Sequence, residues 1–475
     1  MSADTLSRPL AHAEEEDRRQ HLLLDPRPQE EMNRMVMDSM HRTGKTYWLV
    51  VGLLGAVAVA GFLGSWLYMI RWGMGVTGLG RPVYWGIFIA SFIFWIGISH
   101  SGTFVSAILR VFKAEFRRPI TRAAEIMTSV SLIIAVAFLG MDIGRVWRAY
   151  WIVPYPNQRG LWPNFHSPFL WDELAILSYL VGSTLYVFMP LIPDLAMARD
   201  RSTGWRQRLY RTLSFGWRGT EREWHNLQTA IRIFAFAIIP IMFSVHTIVS
   251  WDLAMTKVIG WRSSIFGAYF IVGAIYSGLS AVICILFLVR YNMKLHYFVR
   301  QEHFESLAKL LFVFSFVWVY FFFSDYHVEW YGGDAIGHEI INIQLRGQMT
   351  PFWYAMVLFN IAIPWLTLWS KRVRRSPVFL FLVCVGISIG MYLERYIIVT
   401  GFLRRNRLPF NWGAYTPSWA ELFMLIGSGA LFLCLYALIS RLFPMIPVWE
   451  VREGQLAHTV RQVGKAKIPS VAELE

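Results

Sequence analysis

SIFGAYFIVGAIYSGLSAVICILFLV, residues 264–289, contains no charged side chain. A helix needs roughly 20 apolar residues to cross about 30 Å of hydrocarbon, so this run reads as a transmembrane span. Comparable runs lie before it at about 46–70, 83–109, 120–144, 168–192 and 229–251, and after it at about 307–328, 351–370, 377–400 and 418–440. The chain of 475 residues is 55% hydrophobic and 16% aromatic, with a positive mean hydropathy. These values exclude an ordinary soluble domain and predict an all-α polytopic membrane protein with ten spans.

Charge sets the expected orientation. Of the 45 Lys and Arg residues, 31 fall in the N-terminal arm, alternate loops and the C-terminal tail, and 11 on the other face. The bias predicts that both termini are cytoplasmic. It also accounts for most of the net charge of +14 without a nucleic-acid partner. Residues 1–45 mix both signs (Glu14, Glu15, Glu16, Asp17, Arg18, Arg19) with Pro26 and Pro28. They predict a cytoplasmic arm and not a signal peptide. Cys284, Cys384 and Cys434 all fall inside spans, without a C-x-x-C or C-x-x-C-H pattern. The sequence therefore predicts no disulfide, iron–sulfur ligation or covalent haem within this chain. Most of the 22 tryptophans flank spans, as interfacial anchors do, Trp162 and Trp412 among them.

Spans 2–5 and 6–9 match weakly but in order. His100-Ser101-Gly102 corresponds to Tyr276-Ser277-Gly278, Asp142 and Trp147 to Asp325 and Trp330, and Ser167-Pro168-Phe169 to Thr350-Pro351-Phe352. The pattern predicts two tandem four-helix bundles, 83–251 and 264–400, in parallel orientation. Spans 46–70 and 418–440 would be peripheral and 441–475 a cytoplasmic tail. The copies differ in their acids: Asp172 corresponds to Ala355, and the run ending at Asp252 to residues 398–402, which hold no acid. The reactive site is accordingly expected in the first bundle at the outer face.

Three aspartates, Asp142, Asp172 and Asp252, end consecutive spans on that face, where a carboxylate is costly unless it has a function. Asp142, three residues before Arg145, has a surface ion pair as its alternative. Asp172 and Glu173 near the start of span 4 both suit a helix dipole, whereas Asp252 at the end of span 5 opposes one. Trp171 and Trp251 adjoin these acids, and His246 precedes Asp252 by six residues. His100 lies about two-thirds of the way from the outer face along span 2, as either a relay group or a satisfied interhelical donor. Glu394 and Arg395 on span 9 are expected to face separate partners. The run from Asp325 to Trp330 lacks the i, i+4 ligand pair of a helical metal site, so no metal is expected.

The stretch from Ser99 to Thr103, followed by Phe116-Arg117-Arg118-Pro119-Ile120-Thr121-Arg122-Ala123-Ala124-Glu125, resembles the NrfD family of quinone-interacting membrane subunits, which includes the polysulfide reductase membrane subunit. The ten spans, arm and paired bundles look most like the form in bacterial alternative complex III, the ActC subunit, ahead of its paralogue ActF. The resemblance covers nearly the whole chain. It implies a subunit of the bacterial cytoplasmic membrane that oxidises menaquinol and holds no haem or iron–sulfur cluster itself. Electrons would pass to an iron–sulfur protein and a multihaem cytochrome c on the outer face, beside a paralogous membrane subunit and lipid. The implied catalytic residues are Asp172, Asp252 and Asp142, with His246, Trp251, Trp171 and Arg395 around the quinol and His100, Tyr276, Asp325 and Glu394 on proton paths. An ion-coupled secondary transporter with parallel repeats is the main alternative, and a passive anchor a third. A dihaem cytochrome b is disfavoured because His100 and His246 are expected at different depths.

Overall fold

The computed structural model describes residues 27–151, 168–256, 258–332, 335–405, 409–457, 460–463 and 466–469. The acids of the arm before residue 27, Trp162 and Ser167 lie outside them. Ten helices among the described residues are long and apolar enough to cross a membrane: α1 Lys45–Trp72, α2 Ile87–Val111, α3 Thr121–Asp142, α4 Leu170–Arg201, α5 Glu221–Ala254, α6 Phe266–Asn292, α7 Gln301–Tyr331, α8 Thr350–Leu368, α9 Pro377–Arg404 and α10 Trp419–Leu442. The predicted class, number and order of spans hold. The tail adds one short antiparallel hairpin, Val460–Val463 with Ala466–Pro469.

Several helices outrun their apolar stretches, because hydropathy marks the hydrocarbon and capping marks the helix. α5 begins eight residues before its apolar run, where Thr220 Oγ1 accepts from Glu223 N (3.3 Å) and Glu223 Oε2 accepts from Thr220 N (2.9 Å). This reciprocal pair satisfies two backbone donors that a helix start leaves open. α4 continues through Pro190 and Pro193 to Arg201. There the Pro190 carbonyl accepts from Arg122 Nη2 (2.8 Å) and Trp449 Nε1 (3.0 Å). Wider π turns interrupt α2 at Phe104–Ile108 and α9 at Ile397–Gly401, just after their buried polar residues.

α2 is buried along almost its whole length and α6 along most of it. α2 packs against α3 and α6; α6 also packs against α9, α7 and α5; α4 packs against α5, and α10 against α1. Lipid tails are as apolar as leucine, so contact between spans depends on close backbone approach and hydrogen bonds. Both occur at α2. Ser101 Oγ donates to the Ala274 and Ile275 carbonyls of α6 (3.2 and 3.0 Å). A Cβ on Gly102 would collide with the Ala124 carbonyl of α3. Gly102→Ala is therefore expected to lower thermal stability in detergent by about 1–3 kcal/mol. Gly52→Ala, where a Cβ meets nothing within 4 Å, is the control and should melt like the parent.

A further helix, Gln29–His41, buries Met32, Val36 and Met40, and another, Val448–Ala457, follows α10. The two touch each other, so arm and tail share a face, here called the basic face.

Candidate functional site

The first acid pair forms because α4 starts and α5 ends on the face opposite the basic one and the two helices pack directly together. Asp172 is buried, and its carboxyl lies within hydrogen-bonding reach of the Asp252 carboxyl. Glu173 adds a further charge nearby. Neither Asp172 oxygen meets a donor from elsewhere in the described residues. Two neighbouring carboxyls with no cation between them among the described residues have little value as structural glue, since like charges repel unless a proton is shared.

Asp142 stands apart. Neither Asp172 nor Asp252 acts on it, because α3 packs chiefly along α2. The alternative of an ion pair with Arg145 also fails, since no such pair forms among the described residues and Arg145 is exposed. Trp171 is half-buried. Trp251 is 40% exposed, on the side of α5 turned away from the packed core.

Asp252 lines a cavity of about 10 Å³ with Trp85, Ile89 and Phe92 of the α2 region and Leu139 of α3. That volume accommodates no more than about one water. Trp85 also lines a larger cavity of about 540 Å³ that includes Trp261 and Trp412. The Trp85 and Trp261 rings stack with centroids 5.5 Å apart. Trp85 thus stands between an open chamber and the carboxyl pair, and composition alone marked it only as an anchor.

The histidines overturn one expectation. His100 and His246 are both buried, and their ring centroids are 4.8 Å apart, not at separate depths. Side chains on a helix lean toward its N-terminus, and α2 and α5 start at opposite faces, so the two rings lean toward each other. The depth argument against paired histidines therefore does not stand. Tyr179 stacks on His100 at 4.7 Å, and its hydroxyl reaches Thr103 Oγ1 (2.7 Å) and the Ser99 carbonyl (3.1 Å). His100 Nδ1 faces the Ile96 carbonyl at 2.5 Å, which fits a hydrogen on that nitrogen.

Arg395 continues this polar seam into α9. Its guanidinium lies 4.6 Å over the Phe270 ring, and Phe270 lies 6.0 Å from the His246 ring. Contrary to expectation, Arg395 pairs with its own neighbour, Glu394, at 3.6 Å. At 2% exposure for both, an unpaired charge costs more than folding the long arginine stem back along the helix. Glu394 Oε1 accepts from Trp318 Nε1 at 3.2 Å. Trp318 stacks on Tyr276, whose hydroxyl donates to the Asn360 carbonyl at 2.9 Å. Asp325 is also buried. The second set of spans therefore holds buried acids too; in α9 the acid sits one turn earlier than the compared run.

Charge counting missed a cluster on the basic face, where the arginines registered only as bias. Glu450 of the tail helix is buried and accepts from Arg110 Nη2 (2.8 Å) and Arg117 Nη1 (2.7 Å). Arg118 binds the Glu450 carbonyl (3.0 Å) and Glu453 (2.9 Å). Arg122 pairs with Asp194 at 3.1 Å and Glu125 at 3.6 Å. Residues 116–125, whose pattern suggested the family, thus tie the α2–α3 loop to the tail. Burial alone would push the Glu450 carboxyl up, but Arg110 and Arg117 prevail and hold it at about 2. A carboxyl depressed on folding contributes its full stabilisation above about pH 4.5 and loses it as pH falls toward 2. Limited proteolysis should accordingly find the tail helix protected at pH 6 and increasingly cleaved below pH 4.

Residues 75–404, which include α2 through α9, match the family described as Polysulphide reductase, NrfD. The chain belongs to the NrfD family. This NrfD chain is 26% identical, over 78% of its length and 81% of the relative's, to a putative membrane subunit of a dimethyl sulfoxide reductase in Halobacterium salinarum. It is 22% identical, over 86% of its length and 95% of the relative's, to an Hdr-like menaquinol oxidoreductase integral membrane subunit of Archaeoglobus fulgidus. It is also 22% identical, over 75% of its length and 81% of the relative's, to a subunit of the selenate reductase of Mesobacillus selenatarsenatis. These relatives are named as subunits of oxidoreductases, and the chain is a membrane subunit of that kind.

Proposed function

We propose that this NrfD chain is the quinol-handling subunit of an electron-transfer complex of the alternative complex III type, oxidising menaquinol at the face opposite its arm and tail. The observation that carries the reading is the Asp172–Asp252 carboxyl pair behind Trp85. The relative named as a menaquinol oxidoreductase subunit supports the choice of quinol.

Quinol oxidation releases two electrons and two protons. In this reading Asp252, on the cavity wall, accepts a hydrogen bond from the ring hydroxyl and takes its proton. That proton moves on to Asp172, Asp252 then takes the proton of the second hydroxyl, and the pair releases both to the aqueous face. Both electrons leave to an iron–sulfur cluster in a partner and then to its multihaem cytochrome c, and this chain carries no redox centre. The ring first occupies the chamber of about 540 Å³, a size that suits a small organic ligand, and Trp85 must swing aside for it to reach Asp252. His246, His100 and Tyr179 form the inward continuation of the site, with Arg395 beside them. Both termini are cytoplasmic in this reading, and the membrane is the bacterial cytoplasmic membrane.

Purification in mild detergent tests the assignment. The chain should bring down an iron–sulfur protein and a multihaem cytochrome whose cofactors a menaquinol analogue reduces. A lone chain that moves ions across liposomes without partners would replace this reading with the transporter.

A further inference from the structure

A third cavity, of about 1050 Å³, lies at the basic face, away from the carboxyl pair. The arm helix, the start of α1 and the ends of α6 and α10 enclose it. Its rim carries Arg42, Lys294 and Arg441 against one acid, Asp38, which Arg42 already pairs at 3.0 Å. Arg441 is buried. It directs one guanidinium nitrogen to the Ser39 carbonyl and another to the Asn292 carbonyl at 3.3 Å, while its face covers the Tyr47 ring at 4.6 Å. Its Nε has no hydrogen-bond partner among the described residues. The rim therefore holds surplus positive charge.

Below the rim the wall turns apolar, with Leu54 of α1, Leu288 of α6 and Leu433 of α10. The groove faces hydrocarbon, since Leu49 and Leu53 of α1 beside it are 73% and 65% exposed. A charged rim at headgroup depth over an apolar slot is complementary to one kind of molecule. An anion with no tail leaves the slot empty, and a neutral lipid leaves the arginines unanswered. Basic pockets between spans at this depth suit acidic headgroups.

The geometry points to a built-in site for an anionic phospholipid, its phosphate held by Arg42, Lys294 and Arg441 and an acyl chain lying in the slot between α1, α6 and α10. The lipid would link the arm helix to the spans, since Ser39 and Asp38 of the arm share the rim with residues of α6 and α10.

The test uses the purified complex in nanodiscs containing a phosphatidylglycerol or a phosphatidylcholine probe with a photoreactive acyl chain. The phosphatidylglycerol probe should label peptides covering residues 47–54, 285–294 and 433–441, and the phosphatidylcholine probe should label them weakly. Arg42 and Lys294 are exposed, so Arg42→Ser with Lys294→Ser should fold normally while lowering that labelling roughly tenfold. Lys294→Arg should retain it. Equal labelling by the two probes, labelling unchanged in the double variant, or cross-linking of the cavity to a partner chain or to residues 1–26 in place of lipid would overturn the site.

Discussion

Asp252→Asn in the intact complex is expected to lower menaquinol oxidation by about a hundredfold or more, the usual loss when a positioned proton acceptor is removed. Asparagine keeps the size and the carbonyl oxygen of the side chain but cannot take up a proton. Asp172→Asn should cost a similar factor, because it removes the carboxyl beside Asp252 to which the proton is passed. Since the two act as a unit, the double variant should be scarcely slower than either single one. Asp142→Asn should cost far less, as neither partner acts on Asp142. Steady-state oxidation of a menaquinol analogue measures all four. Parent-like turnover in both single variants, with the complex assembled, would remove the pair from the mechanism.

Glu450→Ala is expected to have the largest structural effect. It leaves Arg110 and Arg117, 15% and 9% exposed at their side chains, without their shared carboxylate. Breaking a buried pair in this way costs about 3–5 kcal/mol, because a charge stays behind uncompensated. The tail helix should detach, be cut by protease at neutral pH, and leave the melting temperature lowered. Glu30→Gln is the comparison. Its pair with Arg201 is 63% exposed on the acid side, and an exposed pair contributes about 1 kcal/mol or less. Equal stability of the two variants would show that Glu450 does not hold the tail.

Hydropathy made the ten spans legible because a bilayer demands long uncharged runs, and residues 264–289 already carried that demand. It placed helix ends poorly, since the capping box at Thr220 and Glu223 and the continuation of α4 from Pro193 to Arg201 lie outside the apolar windows. Asp252 was legible as a cost without a local explanation, and Asp172 by its correspondence to Ala355. Their contact was not, because it depends on α4 packing against α5, and the same holds for His100 with His246. Residue spacing fixed the depth of each histidine backbone but not the lean of its ring. Adjacent Glu394 and Arg395 misled in a similar way, because the rule that neighbours on a helix face apart yields when both are buried. Glu450 with its arginines was hidden by sequence distance: 333 residues separate Glu450 from Arg117.

Photolabelling of the intact complex with an azido-menaquinone analogue tests the central claim most directly. The account predicts adducts in residues 85–93 and 249–253, competed by excess menaquinol and weakened by Asp252→Asn. Labelling confined to α6 through α9, or unaffected by competing menaquinol, would contradict a quinol site at the Asp172–Asp252 pair.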